Sequence, residues 1–337
     1  MLPYAREGAA PRARGGIGDS KPGEGRLQGR LKLLAIVSGV VVGGGIAAVV
    51  LVLGGRDASG PPLVRVATPG FPAPPLGAVV FSRRLGADAL ALGVLPQSRG
   101  VLLQASVVGT QGWGVSGLDV RFAVAAAAKG ASPCGAGCYR ATLPTGGRPR
   151  MVSVRVGASR WRVALPDRWP PQDASALVAR AAGTWRSLRS LVFHEVLASD
   201  ARAPLQSDWR VQAPDRVAYQ VRRGWAGVVI GSRRWDRPPG GKRWQESAQT
   251  PVTQPSPGWT SATDAYVLGK GTLRGRPVWR VSFFDPGTPA WFALAIDRRT
   301  FRTLDVRMIA TAHFMHDAYG SFNRAQPITT PAQPRRT

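Results

Sequence analysis

The chain has 337 residues, with 45 Lys and Arg against 19 Asp and Glu, a formal net charge of +26, and two cysteines. The arginines are scattered singly through strand-like runs rather than gathered into a block, which argues against nucleic acid and for a positive face toward anionic headgroups. Three histidines and few carboxylates leave no catalytic set: there is no G-x-S-x-G elbow, no Cys–His pair and no paired acid and base, and Gly240-Gly-Lys242 lacks the rest of a phosphate loop. A protein that is not an enzyme and uses no cofactor is expected.

Residues 1–32 form a basic leader in which Arg6, Arg12, Arg14, Lys21, Arg26, Arg30 and Lys32 outweigh Glu7, Asp19 and Glu24. Residues 33–55, LLAIVSGVVVGGGIAAVVLVLGG, are 23 positions without a charge. At about 1.5 Å per residue, a helix of this length crosses the roughly 30 Å hydrocarbon core of a bilayer. The run is longer than the apolar part of a cleaved signal, and LGGRDASG at its end offers no convincing small-x-small cleavage site, so an uncleaved transmembrane helix is expected. The positive leader holds the N-terminus in the cytoplasm and sends everything after Gly55 outward. The expected location is therefore a bacterial cytoplasmic membrane, single-pass, with the C-terminal domains extracytoplasmic. Residues 56–77, rich in proline and glycine, read as a semi-extended linker.

From 78 to 167 short β-type runs follow one another: AVVFSRRL, DALALGVL, VLLQASVVG, LDVRFAV, CYRATL, PRMVSVRVG and WRVAL. Alternation is clear in Met151-Val-Ser-Val-Arg-Val156, and helical periodicity is absent. About seven short strands at this spacing predict an all-β, immunoglobulin-like sandwich. Cys134 and Cys138 flank a Gly-Ala-Gly turn and can reach disulfide distance, the expected state outside the cytoplasm. A thiolate metal site would need further ligands nearby.

The phrases FSRRLGADALALGVLP, LQASVVGTQGWGVSGLDVRFAV, CGAGCYRATLP and VSVRVGASRWRVALP span residues 80–166. They resemble the exported YtkA-like β-sandwich domains at the C-terminal end of some CopD-type copper-transport proteins. The resemblance implies a structural module in a copper-associated membrane setting, with a membrane transporter as partner. It does not imply copper binding by this segment, which has no histidine and only Met151.

Asp173 to Leu191 carries the helical signal. Leu177, Ala181, Trp185 and Leu188 fall along one stripe, Arg180, Arg186 and Arg189 lie largely away from it, and Gln172, Asp173 and Ser175 are candidate N-caps. After it come VFHEVLA, DWRVQA, RVAYQVR, GVVIG, RRWD, KRWQE, AYVLGKGTLRG, RPVWRVSFF, AWFALAID and FRTLDVRMIATAHF. Arg274-Gly-Arg276, Asp285-Pro-Gly287 and Asp297-Arg-Arg-Thr300 have the composition of hairpin turns. One helix followed by about eight to ten antiparallel strands is an α+β plan, with a sheet long enough to curl around the helix and leave an apolar interior.

In order and turn chemistry, residues 172–323 resemble the LolA/LppX-like lipoprotein-carrier superfamily. The phrases that carry the resemblance are APDRVAYQV at 213–221, GVVIGSRRWDRPPGGKRWQES at 227–247, GRPVWRVSFFDPGTPAWFALAIDRRTFRTLDVRM at 275–308 and AHFMHDAYGSFN at 312–323. It implies a concave half-barrel over 168–325 that holds lipids or acyl chains without transforming them, followed by a disordered tail at 326–337. The chain departs from such carriers in being held by a helix rather than free in the periplasm or acylated at an N-terminal cysteine.

Seven of the eleven tryptophans, Trp209, Trp225, Trp235, Trp244, Trp259, Trp279 and Trp291, fall between 209 and 291, as core or as the wall of an underfilled core. The residues expected to line a hydrophobic cavity are Val217, Tyr219, Val228, Val281, Phe283 and Phe292 on the strands, with Trp185 on the helix nearest the opening. The expected partners are a lipid or other hydrophobic ligand and the cytoplasmic membrane. A copper-handling accessory role is the alternative, with His313, Met315 and His316 as ligands. On a strand His313 and Met315 share one face and His316 takes the other, so only a bend would join all three. A structural interaction domain of the envelope is the third reading.

Overall fold

The computed structural model of the chain describes residues 73–110, 112–198, 204–310 and 314–332. The leader, the 33–55 span and most of the 56–77 linker lie outside the described residues, as does His313. Among the described residues no helix is long and apolar enough to cross a membrane.

The first part is built from β1 (Val79–Leu85), β2 (Asp88–Gln97), β3 (Gly100–Val108), β4 (Val120–Val124), β5 (Ala127–Gly130), β6 (Ser132–Gly135), β7 (Cys138–Pro144), β8 (Met151–Val156) and β9 (Ser159–Ala164). They form two antiparallel sheets, ordered β1-β2-β3-β7-β6 and β5-β4-β8-β9. Leu90, Leu92, Leu103 and Leu143 of the first sheet share a core with Phe122, Val152, Val154 and Val163 of the second, the packing of a two-layer sandwich. β5 and β6 add to the seven expected runs. Each is four residues long, and AAKG and SPCG present no apolar stripe on either face, so alternation does not reveal them. Cys134 and Cys138 are disulfide-bonded across the β6–β7 turn, their Cα atoms 4.9 Å apart. Gly137 between them has φ 65°, and a Cβ there would lie 2.4 Å from the Val107 carbonyl oxygen, so the turn requires glycine.

The second part opens with α1 (Ser175–Arg186) and continues through β10 (Ser190–Leu197), β11 (Leu205–Gln212), β12 (Arg216–Val221), β13 (Ala226–Ile230), β14 (Arg233–Arg237) and β15 (Gln245–Ala248). It closes with β16 (Thr263–Leu273), β17 (Arg276–Asp285), β18 (Ala290–Asp297), β19 (Thr303–Ala310) and β20 (Phe314–Gly320). Asp173 fixes the start of α1 by accepting the backbone N–H and the hydroxyl of Ser175, at 3.1 and 2.7 Å. The helix stops short of Leu191, where the Ser187 hydroxyl turns back to the Thr184 carbonyl (2.8 Å) and β10 begins three residues after Ser187. The strands form one antiparallel sheet ordered β15-β14-β13-β12-β11-β10-β20-β19-β18-β17-β16. β20 returns beside β10, so the two free edges, β15 and β16, are consecutive in the chain and joined only by residues 249–262. Pro251, Pro255 and Pro257 keep that segment out of a ladder because proline has no N–H to give. The sheet has eleven strands, and FRTLDVRMIATAHF, read as one run, divides between β19 and β20.

Alternate residues sort onto two faces of this sheet. On the convex face Phe284, Trp291, Ile309 and Phe314 stand side by side across β17 to β20. They pack against Val80, Ala89, Ala91 and Val108 of the sandwich. The run DALALGVL makes this possible by alternating large with small rather than apolar with polar. Leu90, Leu92 and Val94 enter the sandwich core, while Ala89 and Ala91 face the half-barrel. A Cβ at Gly93 would already lie 3.6 Å from the Trp291 ring. The Arg307 guanidinium donates to the Ser82 carbonyl at 3.4 Å, and the Arg84 guanidinium lies 5.7 Å from the Phe314 ring centre. The two parts therefore share an apolar interface.

Over β12 to β14 the convex face carries Ala218, Val228 and Trp235, covered by Ile328. The Ile328 N–H donates to Gln212 Oε1 (2.9 Å), and its carbonyl accepts from Arg216 (2.8 Å). This corrects the expectation of a disordered tail beginning at 326: the chain is docked at Ile328 because an apolar patch beside β12 takes its side chain.

Candidate functional site

The concave face can be followed in rungs, each a set of cross-strand neighbours. One runs Leu197, Met315, Met308, Phe292, Phe283. The next runs Ser207, Glu195, Asp317, Val306, Leu294, Val281. The third is aromatic: Tyr219, Trp209, Phe193 and Tyr319, with ring centres 4.7, 5.6 and 5.1 Å apart in that order. Gly227 lies across from Tyr219, and a Cβ there would come within 2.2 Å of the tyrosine ring, so the bare backbone lets that ring fold inward.

Two segments cover this face. From α1, Trp185 packs edge-on against Tyr319 (4.6 Å) and Trp259 (6.1 Å). From residues 249–262, Trp259 packs edge-on against Phe283 (5.8 Å) and Phe292 (6.1 Å). Asp285 fastens the second cover. It accepts the Thr260 N–H at 2.8 Å, the Ser261 hydroxyl at 2.7 Å, the Gly287 N–H at 2.9 Å and the Thr288 hydroxyl at 2.8 Å. Burial alone would raise its pKa, but these donors outweigh burial and hold the carboxyl below its ordinary value.

Of the expected lining residues, Trp185, Val217, Tyr219, Val281, Phe283 and Phe292 belong to one buried cluster. Val228 does not. It lies directly across from Ala218, one position out of phase with Val217 and Tyr219, so it points to the convex face. Trp185 is 3% exposed and belongs to the inward stripe of α1, with Val178, Ala181 and Ala182. Sequence reasoning passed over Phe193 and Tyr319 as lining, and gave Trp209 and Trp259 as core or pocket wall without placing them. It also passed over the two acids.

Glu195 and Asp317 face each other across β10 and β20, both buried. Each occupies an inward position of an apolar strand: Leu191, Phe193, Glu195, Leu197 on one and Met315, Asp317, Tyr319 on the other. A charged residue in phase with core residues was the signal that could have found them. Glu195 accepts from the Ser207 hydroxyl (2.7 Å) and the Trp209 indole (2.9 Å). Asp317 Oδ2 accepts from the Tyr319 hydroxyl, while Oδ1 has no partner. Burial, then the facing Glu195, pushes the Asp317 pKa well above its ordinary value. Burial also raises Glu195, against the pull of Ser207, Trp209 and His194. The carboxyl oxygens of this rung place hydrogen-bonding capacity inside an apolar wall. The Trp185 indole N–H is likewise buried without a partner.

Met315 and His316 are not brought together. Met315 enters the concave cluster, while His316 lies on the other face with Nε2 2.7 Å from Asp305 Oδ2. Among the described residues no group of three or more His, Cys, Asp or Glu is placed to hold a metal ion.

No family model matches the chain, and no curated protein matches it. Solved structures similar to it include the lipoprotein LppX of Mycobacterium tuberculosis, at 12% identity and TM-score 0.37 over 46% of this chain and 98% of that one. LprF from Mycobacterium bovis is similar at 10% identity and TM-score 0.33, over 47% and 97% of the two chains. A LolA superfamily protein from Nitrosomonas europaea is similar at 9% identity and TM-score 0.22, over 44% and 94%.

Proposed function

We propose that the half-barrel is an extracytoplasmic binding site for a hydrophobic ligand, a lipid or acyl chain, held between the concave face and its two covers. The observation that carries this reading is a mismatch inside an apolar interior. Among the described residues, Asp317 Oδ1 and the Trp185 indole are buried without hydrogen-bond partners, a state that native cores largely avoid. A ligand with an apolar body and a polar group satisfies both atoms and replaces side-chain contacts with its own. The covers suit entry, because α1 and residues 249–262 are not strands of the sheet and can swing aside without breaking a ladder. Residues 33–55 anchor the domain at the outer face of the cytoplasmic membrane, with the leader inside. The Cys134–Cys138 disulfide fits that compartment. The sandwich acts as a rigid support on the convex side.

The test is to purify the full-length chain from membranes, extract it with organic solvent and identify bound molecules by mass spectrometry. The stripped protein is then titrated with a fluorescent fatty acid while tryptophan emission is followed. A co-purifying lipid and saturable quenching are expected, since Trp185, Trp209 and Trp259 surround the interior. Absence of both would end the reading.

A further inference from the structure

One end of the half-barrel holds a second feature, an open cavity of about 410 Å³. Arg189 reaches it from the α1–β10 joint, Arg276 from the start of β17, Arg302 from the approach to β19, and Arg324 from the segment after β20. Four arginines line it, and the lining includes no carboxylate. Among the described residues, only Arg276 of the four has a carboxylate partner, Asp297 at 3.0 Å. The Arg302 guanidinium lies 5.2 Å from the Phe322 ring centre. Arg189 and Arg324 are exposed. Positive groups repel one another, so a cluster in which three of four arginines lack a carboxylate partner among the described residues is a site prepared for an anion.

The backbone around the cavity is built rather than incidental. Seven non-glycine residues among those described have positive φ, and four of them, Arg274 (49°), Phe301 (56°), Ser321 (47°) and Asn323 (60°), lie within two residues of a lining arginine or line the cavity themselves. Such conformations persist where the surroundings enforce them. Here Asn323 Oδ1 accepts the Arg189 N–H at 2.7 Å, its own N–H donates to the Ser190 carbonyl at 2.7 Å, and Arg274 donates to the Tyr319 carbonyl at 3.0 Å. The segment after β20 is thereby tied to the end of α1.

The cavity also adjoins the interior. Phe322, in its wall, packs on the concave cluster, and Tyr319, the end of the aromatic rung, precedes it by three residues. Moving inward from the arginines, one meets the aromatic rung, then the Glu195–Asp317 rung, then the Met315–Phe283 rung.

We infer that this arginine cavity binds an oxyanion, a phosphate or carboxylate group, and that the oxyanion is the head of the amphiphile whose chain enters the half-barrel. The second clause rests on the hydrophobic-ligand reading; the first stands on the cavity alone. The planar guanidinium fork presents paired N–H donors that two oxygens of a carboxylate or of a phosphate can accept.

The test uses the full-length protein in neutral detergent with three probes: pyrene-labelled phosphatidylglycerol, pyrene-labelled diacylglycerol and inorganic phosphate. The anionic lipid should bind at least about tenfold more tightly than the neutral one, the scale of one charge-assisted hydrogen bond. The R189Q/R324Q variant should abolish that preference and leave diacylglycerol binding unchanged. The R160Q/R162Q variant removes the same charge from the exposed face of β9 and should change neither. Inorganic phosphate should compete with the anionic lipid only. Equal binding of the two lipids, or equal loss in both variants, overturns the cavity as an anion site while diacylglycerol binding still upholds the half-barrel. Phosphate binding that depends on Arg189 and Arg324, with neither lipid bound, upholds a site for a free anion and overturns the lipid reading.

Discussion

On its convex side the eleven-stranded sheet presents Phe284, Trp291, Ile309 and Phe314 to small side chains of β1 and β2; on its concave side the same strands present Phe283, Phe292, Met308 and Met315 to a helix and an irregular segment. Both sets are buried apart from the half-buried Phe284, and neighbours such as Phe283 and Phe284 differ in phase. The convex contact is sheet on sheet, large against small, with Ala89, Ala91 and Gly93 shaped to receive Trp291. The concave contact is closed by two separate covers, each contributing one tryptophan, over a rung of acids with an unmet oxygen. Burial alone therefore does not separate a structural interface from a binding surface. The way each face is closed does: sheet on sheet at one, two separate covers at the other.

Removing the convex anchor should have the largest effect. Trp291→Ala should lower stability by roughly 3–5 kcal/mol, the range for deleting a large buried aromatic. Chemical denaturation followed by tryptophan emission should also split into two transitions as the sandwich and half-barrel uncouple. A single transition at the original midpoint would mean the interface carries no stability.

On the concave side, the hold of Asp285 on residues 249–262 is the next test. Asp285→Ala should cost about 1–3 kcal/mol, because part-buried donors lose their acceptor. The folded pKa of Asp285 is depressed, so its contribution is present above the unfolded value and lost as pH falls through the folded one. The variant should therefore lose part of the acid limb of the stability profile. An acid limb identical to that of the parent would remove Asp285 as the fastener.

A smaller change of opposite sign is expected from Asp317→Asn. The folded pKa of Asp317 is raised, so its stabilising contribution is present below the unfolded value and lost as pH rises through the folded one. Replacing it with an amide, which keeps an acceptor for Tyr319, should flatten the decline of stability toward alkaline pH. An unchanged slope between acid and alkaline denaturation curves would show that the Asp317 proton does not matter to folding.

Much of the strand content is legible in the sequence because alternation records a half-buried face, as in Met151–Val156. Where both faces are buried the record fails. DALALGVL reads as one apolar run, and only the large–small alternation in it indicates a second partner. β5 and β6 are too short and polar to show a period. Val228 was misplaced because GVVIG offers two adjacent valines and nothing local decides which points inward; the pairing with Ala218 does. Glu195, Asp317 and the four cavity arginines come from strands and turns far apart in sequence, and only the return of β20 beside β10 joins them. The helix stripe was recognisable, but its depth was not, since the depth of Trp185 depends on Trp259 and Tyr319.

The central claim is that the concave face opens to a ligand while the convex face stays closed. Hydrogen–deuterium exchange on the full-length protein, with and without a saturating long-chain fatty acid, tests it directly. The account predicts added protection in α1 and residues 249–262, with β1, β2 and the convex ladder unchanged. Equal protection everywhere, or none in the two covers, would contradict it.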